Sequence, residues 1–333
     1  MEPALTLSEY ETALRFADAE QTAPADRAEM LMAVGASLQT RPKMPAQLDQ
    51  AESLYQRALV LCPDEQPLLR ARILARLGTC LQAKPAGGGT ALRAAREHFE
   101  AALPLLQAYG VPEEVAETEL NLGLVQQALA GDGAARLQDA IQCYHRALRT
   151  FTRERYPQEY ALLHNNLAVA YLSMPQTEAQ GRMREALAVQ SFEAVLSVIS
   201  LVDHPSEYAM IQNNLGNALQ YAASGHPLDN LQRALNAYDE ALKVRTARDT
   251  PLEYANTIAN KANALRNLPD EPGALAGANL RAAAALYRDA RDLFATHGQT
   301  GGAVTLTELL REIAVELGDA SVAATEVGDA PIN

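Results

Sequence analysis

The feature that most constrains this chain is repetition. Pro205 to Gln220 reads PSEYAMIQNNLGNALQ, Pro157 to Leu172 reads PQEYALLHNNLAVAYL, and Pro251 to Arg266 reads PLEYANTIANKANALR. Weaker copies stand at Pro112 to Gln127, around Arg76, Leu77 and Gly78, and around Val34 and Gly35. Self-similarity at a period of about 20–50 residues marks a solenoid or array, in which length counts repeats and not globular domains.

Two alignments define the unit. In the first element Val34, Leu77, Leu122, Leu167, Leu215 and Lys261 share a register, each followed by Gly35, Gly78, Gly123, Ala168, Gly216 or Ala262. A leucine followed by a small residue predicts a core knob beside a close helix crossing. Lys261 breaks that pattern and predicts either a looser last pair or an exposed end of that helix.

In the second element Ala51, Tyr55 and Ala58 recur as Ala95, Phe99 and Ala102, then Ala140, Tyr144 and Ala147. The series continues with Ala188, Phe192 and Val195, with Ala234, Tyr238 and Ala241, and with Ala283, Tyr287 and Ala290. Spacings of i, i+4 and i+7 share one helix face, so a ring is offered to a neighbour between two small residues. Core packing, not ligand binding, is the expected role of these rings.

Helix starts are marked by Pro112, Pro157, Pro205 and Pro251, each with a glutamate two residues on. Proline costs nothing at a first-turn position whose N–H is unpaired anyway, and the acid complements the helix dipole. Glycine- and proline-rich stretches at Gly87–Gly89, Gly131–Gly133, Pro175–Gly181, Gly225–Pro227 and Pro269–Gly277 predict turns. The division expected is a capping helix in residues 1–22, six repeats of about 43–49 residues in 23–297, a closing helix in 298–317 and a mobile acidic tail in 318–333.

The net charge of −13 disfavours nucleic acid and anionic membranes as partners. Met1 to Phe16 lacks the basic and apolar regions of a signal peptide, so a cytoplasmic location is expected. Cys62, Cys80 and Cys143 have neither zinc-ligand nor disulfide spacing and read as small buried thiols. No HExxH, GxSxG, P-loop or dinucleotide fingerprint occurs, and His98, His145, His164, His204 and His226 form no sequence constellation. No catalytic, cofactor or metal site is therefore expected.

Leucine-glycine in one helix and AxxxYxxA in the next, through six units, resemble the tetratricopeptide repeat family over residues 1 to 317. That family's unit is about 34 residues, so this one is longer by roughly ten, as in the long-unit arrays of bacterial regulatory and signalling proteins. Leu31, Leu74, Glu119, His164, Gln212 and Ile258 replace the family's tryptophan. The resemblance implies an all-α solenoid wound as a right-handed superhelix, its first helices lining a concave groove.

Carried over by register, the groove comprises Asn165, Asn213, Asn217, Gln220, Tyr221, Asn256, Asn263, Arg266 and Asn267. Carboxamides can pair with the main chain of an extended peptide whatever its side chains are. Asn121, Asn166, Asn214 and Asn260, next to the leucine position, are expected to bond nearby backbone instead. The lysine–arginine clamp for a terminal carboxylate is not reproduced.

The function expected is a non-enzymatic scaffold or adaptor holding a neutral or basic peptide segment or partner helix in the groove. An assembly chaperone for an enzyme subunit and a self-assembling oligomer are the alternatives. A helical toroid enzyme is disfavoured, because it needs converging carboxylates and rings and the tyrosines here are committed to packing.

Overall fold

The computed structural model describes residues 4–18, 21–40, 42, 44, 46–84, 88–174, 178–222 and 226–318. Among them are fourteen helices and no strand. The helices are α1 (Ala4–Ala17), α2 (Pro24–Thr40), α3 (Ala46–Leu61), α4 (Pro67–Gln82), α5 (Gly88–Tyr109), α6 (Pro112–Gly131) and α7 (Leu137–Ala147). They continue as α8 (Pro157–Ser173), α9 (Glu178–Leu196), α10 (Pro205–Tyr221), α11 (Pro227–Leu242), α12 (Pro251–Arg266), α13 (Ala278–Thr296) and α14 (Thr300–Glu316). None is long and apolar enough to cross a membrane.

Consecutive helices pack as pairs, α2 with α3, α4 with α5, α6 with α7, α10 with α11 and α12 with α13. One contact explains the repeat. Every second-helix ring is buried, and where the small residue of the first helix is glycine the ring packs on it: Tyr55, Phe99, Tyr144, Phe192, Tyr238 and Tyr287 are all at most 1% exposed. A Cβ added at Gly35, Gly78, Gly123 or Gly216 would lie 2.8, 2.7, 2.5 or 2.5 Å from a ring carbon of Tyr55, Phe99, Tyr144 or Tyr238. No real Cβ sits that close, so glycine is there to let the helix backbone approach the ring. The alanines and the valine that flank the rings are buried at 0–2%, which confirms the rings as core.

Helix starts follow the prolines, with α6, α8, α10 and α12 opening on Pro112, Pro157, Pro205 and Pro251. Glu114 shows the acid's local role: its Oε2 accepts the Val111 N–H at 3.1 Å, closing the helix's open end. Two turn expectations fail. Gly88 and Gly89 begin α5, and Gly181 lies inside α9, because neighbouring alanine- and arginine-rich sequence carries the helix through them. Residues 87, 175–177 and 225 of the expected turns, and 319–333 of the tail, lie outside the described residues.

Lys261 does not loosen the last pair. Its Nζ reaches Asp239 of α11, while Ala262 and Tyr287 are fully buried. At the ends, α1 packs on α2 and α3, with Arg27 donating to the Ala17 carbonyl at 2.8 Å. Helix α14 packs on α13, burying Leu306, Leu310 and Ile313.

The chain divides into two compact units, Met1–Asn166 and Leu167–Asn333. The boundary falls inside α8, one residue before the leucine register position, so no turn or composition shift announces it. All three cysteines are free and buried, and burial pushes the Cys80 and Cys143 thiols up to about 11 and about 12.

Candidate functional site

The site in the second unit begins with the core rings. Where the ring is tyrosine, its hydroxyl emerges on the far side of the first helix and meets a carboxamide. Tyr55 donates to Gln39 Oε1 at 2.7 Å and Tyr144 to Gln127 Oε1 at 2.8 Å. Tyr238 shares its single hydroxyl proton between Asn217 Oδ1 at 2.8 Å and Gln220 Oε1 at 3.1 Å, and Tyr287 donates to Asn263 Oδ1. Gln39, Gln127 and Gln220 each stand four residues after the glycine, one helical turn on.

This fixes the direction of the amides in α10 and α12. Their carbonyl oxygens face the core hydroxyls, which leaves the NH2 groups of Asn217, Gln220 and Asn263 without a partner among the described residues. A carboxamide carries two donors and one acceptor oxygen. Core packing therefore turns an ambivalent row of amides into a row of donors.

Five of the nine expected groove residues come together in one open pocket. Gln220 and Tyr221 at the end of α10, and Asn263, Arg266 and Asn267 at the end of α12, line it with Glu316 of α14. Arg266 donates to Glu312 Oε2 at 2.9 Å and to Glu316 Oε1 at 2.5 Å. Burial works against its charge, but the two carboxylates hold its pKa above the ordinary guanidinium value. Asn267 donates to the Asn263 backbone carbonyl at 2.9 Å, which leaves its Oδ1 as an acceptor.

A second pocket adjoins the first through Tyr221, which lines both. It is formed by Tyr171, Leu172, Met174, Gly181, Arg184, Glu185 and Asn217 as well as Tyr221. Tyr221 is 66% exposed. A ring left that open between a polar and an apolar hollow is an anchor available to a ligand.

The other expected groove residues do not join this site. Asn213 is buried and accepts a 3.3 Å bond from Asn260 Nδ2, tying α10 to α12. Asn256 donates to the Leu252 carbonyl of its own helix at 2.9 Å. Asn165 lies in α8 with its Oδ1 buried and without a partner among the described residues. Of the amides beside the leucine position, Asn121 and Asn166 do bond backbone, at the Glu117 and Leu162 carbonyls.

Several residues of the site escape a sequence reading. Glu312 and Glu316 sit at i and i+4 on the polar face of α14, a spacing that places both against one cation, but α14 reads first as an apolar closing helix. Leu172 holds the register position five after Leu167 and is apolar, so a search for carboxamides passes over it.

The first unit carries a differently furnished pocket, lined by Met32 of α2, Arg72, Arg76 and Thr79 of α4, and Glu114, Glu117, Thr118 and Asn121 of α6. Arg72 donates to Glu114 at 2.6 Å. Nearby, Glu119, which stands at the family's tryptophan position and is 2% exposed, receives two bonds from Arg146 at 2.6 and 2.7 Å. Among the described residues no group of histidine, cysteine and acidic side chains is arranged to hold a metal.

No family model and no curated protein matches this chain. Similar solved structures include the TPR2AB domain–pHSP90 complex of yeast Sti1, at 16% identity and TM-score 0.30, covering 87% of this chain and 99% of that one. A Rap protein complexed with Competence and Sporulation Factor is similar at 11% identity and TM-score 0.37, covering 96% of this chain and 89% of that one. What decides the architecture is the chain's own geometry, a buried aromatic ring in each second helix, seated in four of the pairs on the glycine of the first. The repeat is TPR-like. In this TPR-like array the core fixes the helix pairs and leaves the outer positions of the first helices free to differ between the units.

Proposed function

We infer that the chain is a protein-interaction module that holds an extended peptide segment of a partner on the α10–α12 face of its second unit. The observation that carries this reading is the convergence of outward amide donors, exposed Tyr221 and an adjoining apolar hollow on one surface. An extended segment has unpaired carbonyls and N–H groups for the amides to meet, whereas a helix has already paired its own. The apolar hollow would take one side chain, and Tyr221 would lie along the segment.

The test is selection of phage-displayed random peptides on the immobilised protein, with Tyr221→Ser as the comparison. Sequences enriched on the wild-type chain and lost on the variant support the reading. Equal enrichment on both removes the face around Tyr221 from it. Circular dichroism confirms that the variant is folded, as expected for an exposed side chain.

A further inference from the structure

We propose that the segment taken by this face carries one large apolar side chain and, two residues away, a lysine or arginine. This rests on the peptide-binding reading and adds the ligand's chemistry to it. Three observations lead there.

The first is spacing. One side chain, Tyr221, separates the apolar hollow from the polar pocket. Alternate side chains of an extended strand return to the same face about every 6.6 Å, the two-residue repeat of a strand. Hollows that share one lining ring are neighbours, and a two-residue step is the shortest that returns a strand side chain to the same face. The Asn217 donor at the first hollow and the Gln220 and Asn263 donors at the second can then meet carbonyls of the same segment.

The second is charge. The lone cation of the polar pocket, Arg266, is already held by two carboxylates, so the triad sums to one net negative charge. An incoming carboxylate or phosphate would have to displace Glu312 or Glu316 from Arg266. An incoming ammonium or guanidinium displaces nothing, because the Glu316 side chain is 42% exposed and keeps acceptor capacity toward the pocket.

The third is the direction of the amides. With their oxygens turned to Tyr238 and Tyr287, Asn217, Gln220 and Asn263 present donors, which suit main-chain carbonyls and repel a second cation only weakly. The negative charge of the pocket therefore comes from α14, while the main-chain grip comes from α10 and α12. The closing helix, packed on α13, is thereby also a wall of the binding site.

The experiment is fluorescence anisotropy with labelled, N-acetylated octapeptide pools on the full chain. One pool has leucine and lysine two residues apart in both chain orders, with alanine, serine, threonine and glycine elsewhere. The others replace lysine by glutamate, replace leucine by alanine, or move lysine to three or four residues from leucine. The leucine–lysine pool should bind about fivefold tighter than the glutamate pool, the size of a well-placed exposed charge contact. It should bind about tenfold or more tighter than the alanine pool, from burial of the leucine side chain.

Glu316→Gln should erase most of the preference for lysine over glutamate while leaving the preference for leucine. Equal binding of all pools, or tighter binding at the wider spacings, overturns the ligand pattern and leaves the peptide-binding reading standing. A lysine preference that survives Glu316→Gln removes α14 from the site. Failure of every pool to bind the wild-type chain sinks the peptide-binding reading and this inference together.

Discussion

The two units are built on the same core and finished with opposite surfaces. In both, a ring from the second helix lies on a small residue of the first, and tyrosine hydroxyls of each unit end on a first-helix carboxamide. Around that shared frame the first unit places charges against charges, Arg72 on Glu114 and Arg146 on Glu119. The second unit places amides whose inner oxygens are occupied and whose outer NH2 groups are not. Paired charges close a surface by satisfying each other, whereas half-used amides leave it open to a ligand. The frame specifies the fold, and the positions it leaves free set the surface that each unit presents.

The largest effects should come from breaking what the units share. Tyr144→Ala in the first unit and Tyr238→Ala in the second each delete a fully buried ring and its hydroxyl bond, at a cost of about 3–5 kcal/mol. Urea unfolding followed by circular dichroism measures this directly. Similar losses at both sites keep the frame common to the two units, and a loss under about 1 kcal/mol at either would show that its ring is not core.

Next in size is a change that only the first unit can feel. Arg146→Ala strips Glu119 of both its bonds and leaves a carboxylate buried. Breaking such a pair costs about 3–5 kcal/mol when both ends are enclosed. The Arg146 side chain is 40% exposed, so solvent lowers this to roughly 2–3 kcal/mol. In the second unit the residue two after the ring is Glu240, held by Tyr208 and Lys243 at the surface. Glu240→Ala should therefore cost at most about 1 kcal/mol, and equal losses would dissolve the contrast between the two surfaces.

The frame was the legible part of the sequence. Register positions that touch only other register positions have one solution, so Ala-aromatic-Ala and leucine-small repeat visibly and their burial follows. The binding face was legible by half. Asn217, Gln220, Tyr221, Asn263, Arg266 and Asn267 line the two hollows as the register implies, whereas Asn213 is tied to Asn260 of α12 and Asn256 bonds its own helix. The reason is that an amide's register gives its helix face but not which neighbour its oxygen finds. Tyr238 and Tyr287 make that choice, from the other helix of each pair. Glu312 and Glu316 were hidden for a related reason, since their partner Arg266 is about 46–50 residues away in sequence and only packing of α14 on α13 brings them together.

A milder change sharpens this point. Tyr238→Phe keeps the ring and removes only the hydroxyl that turns Asn217 and Gln220, at a cost of about 1 kcal/mol. Those amides sit beside the pockets, so water replaces part of the lost bond. The helix pair should stay intact by circular dichroism. In the TPR-like frame the same substitution at Tyr144 should cost about as much, because Gln127 loses its donor in the same way. A Tyr238→Phe loss near that of Tyr238→Ala would mean that the hydroxyl, not the ring, holds the pair.

The smallest expected effect separates the units by pH. Burial lowers the pKa of His98, against the opposing pull of Glu97 and Glu52, lowers that of His145, and lowers that of His164 with a further push from the charge of His145. All three belong to the first unit. A histidine whose folded pKa lies below its unfolded value near 6.5 binds fewer protons when folded, so acid favours the unfolded state. The stability they contribute is full above about pH 6.5 and declines as the pH falls from there toward their lowered folded values. Carboxylates do not blur this window. Glu114, though burial raises it, is held low by Arg72 and the Val111 N–H, and in the second unit Glu240, Asp249 and Asp270 are held low by Lys243, Arg248 and the Asn279 N–H. Their stability is lost only below the usual carboxylate range. Hydrogen exchange read by mass spectrometry at pH 7 and pH 5.5, corrected for intrinsic rates, should therefore show protection falling in α5 to α8 of the first unit while α10 to α13 hold. Equal losses in both units would mean that the histidines do not set the difference, and that the two units unfold as one.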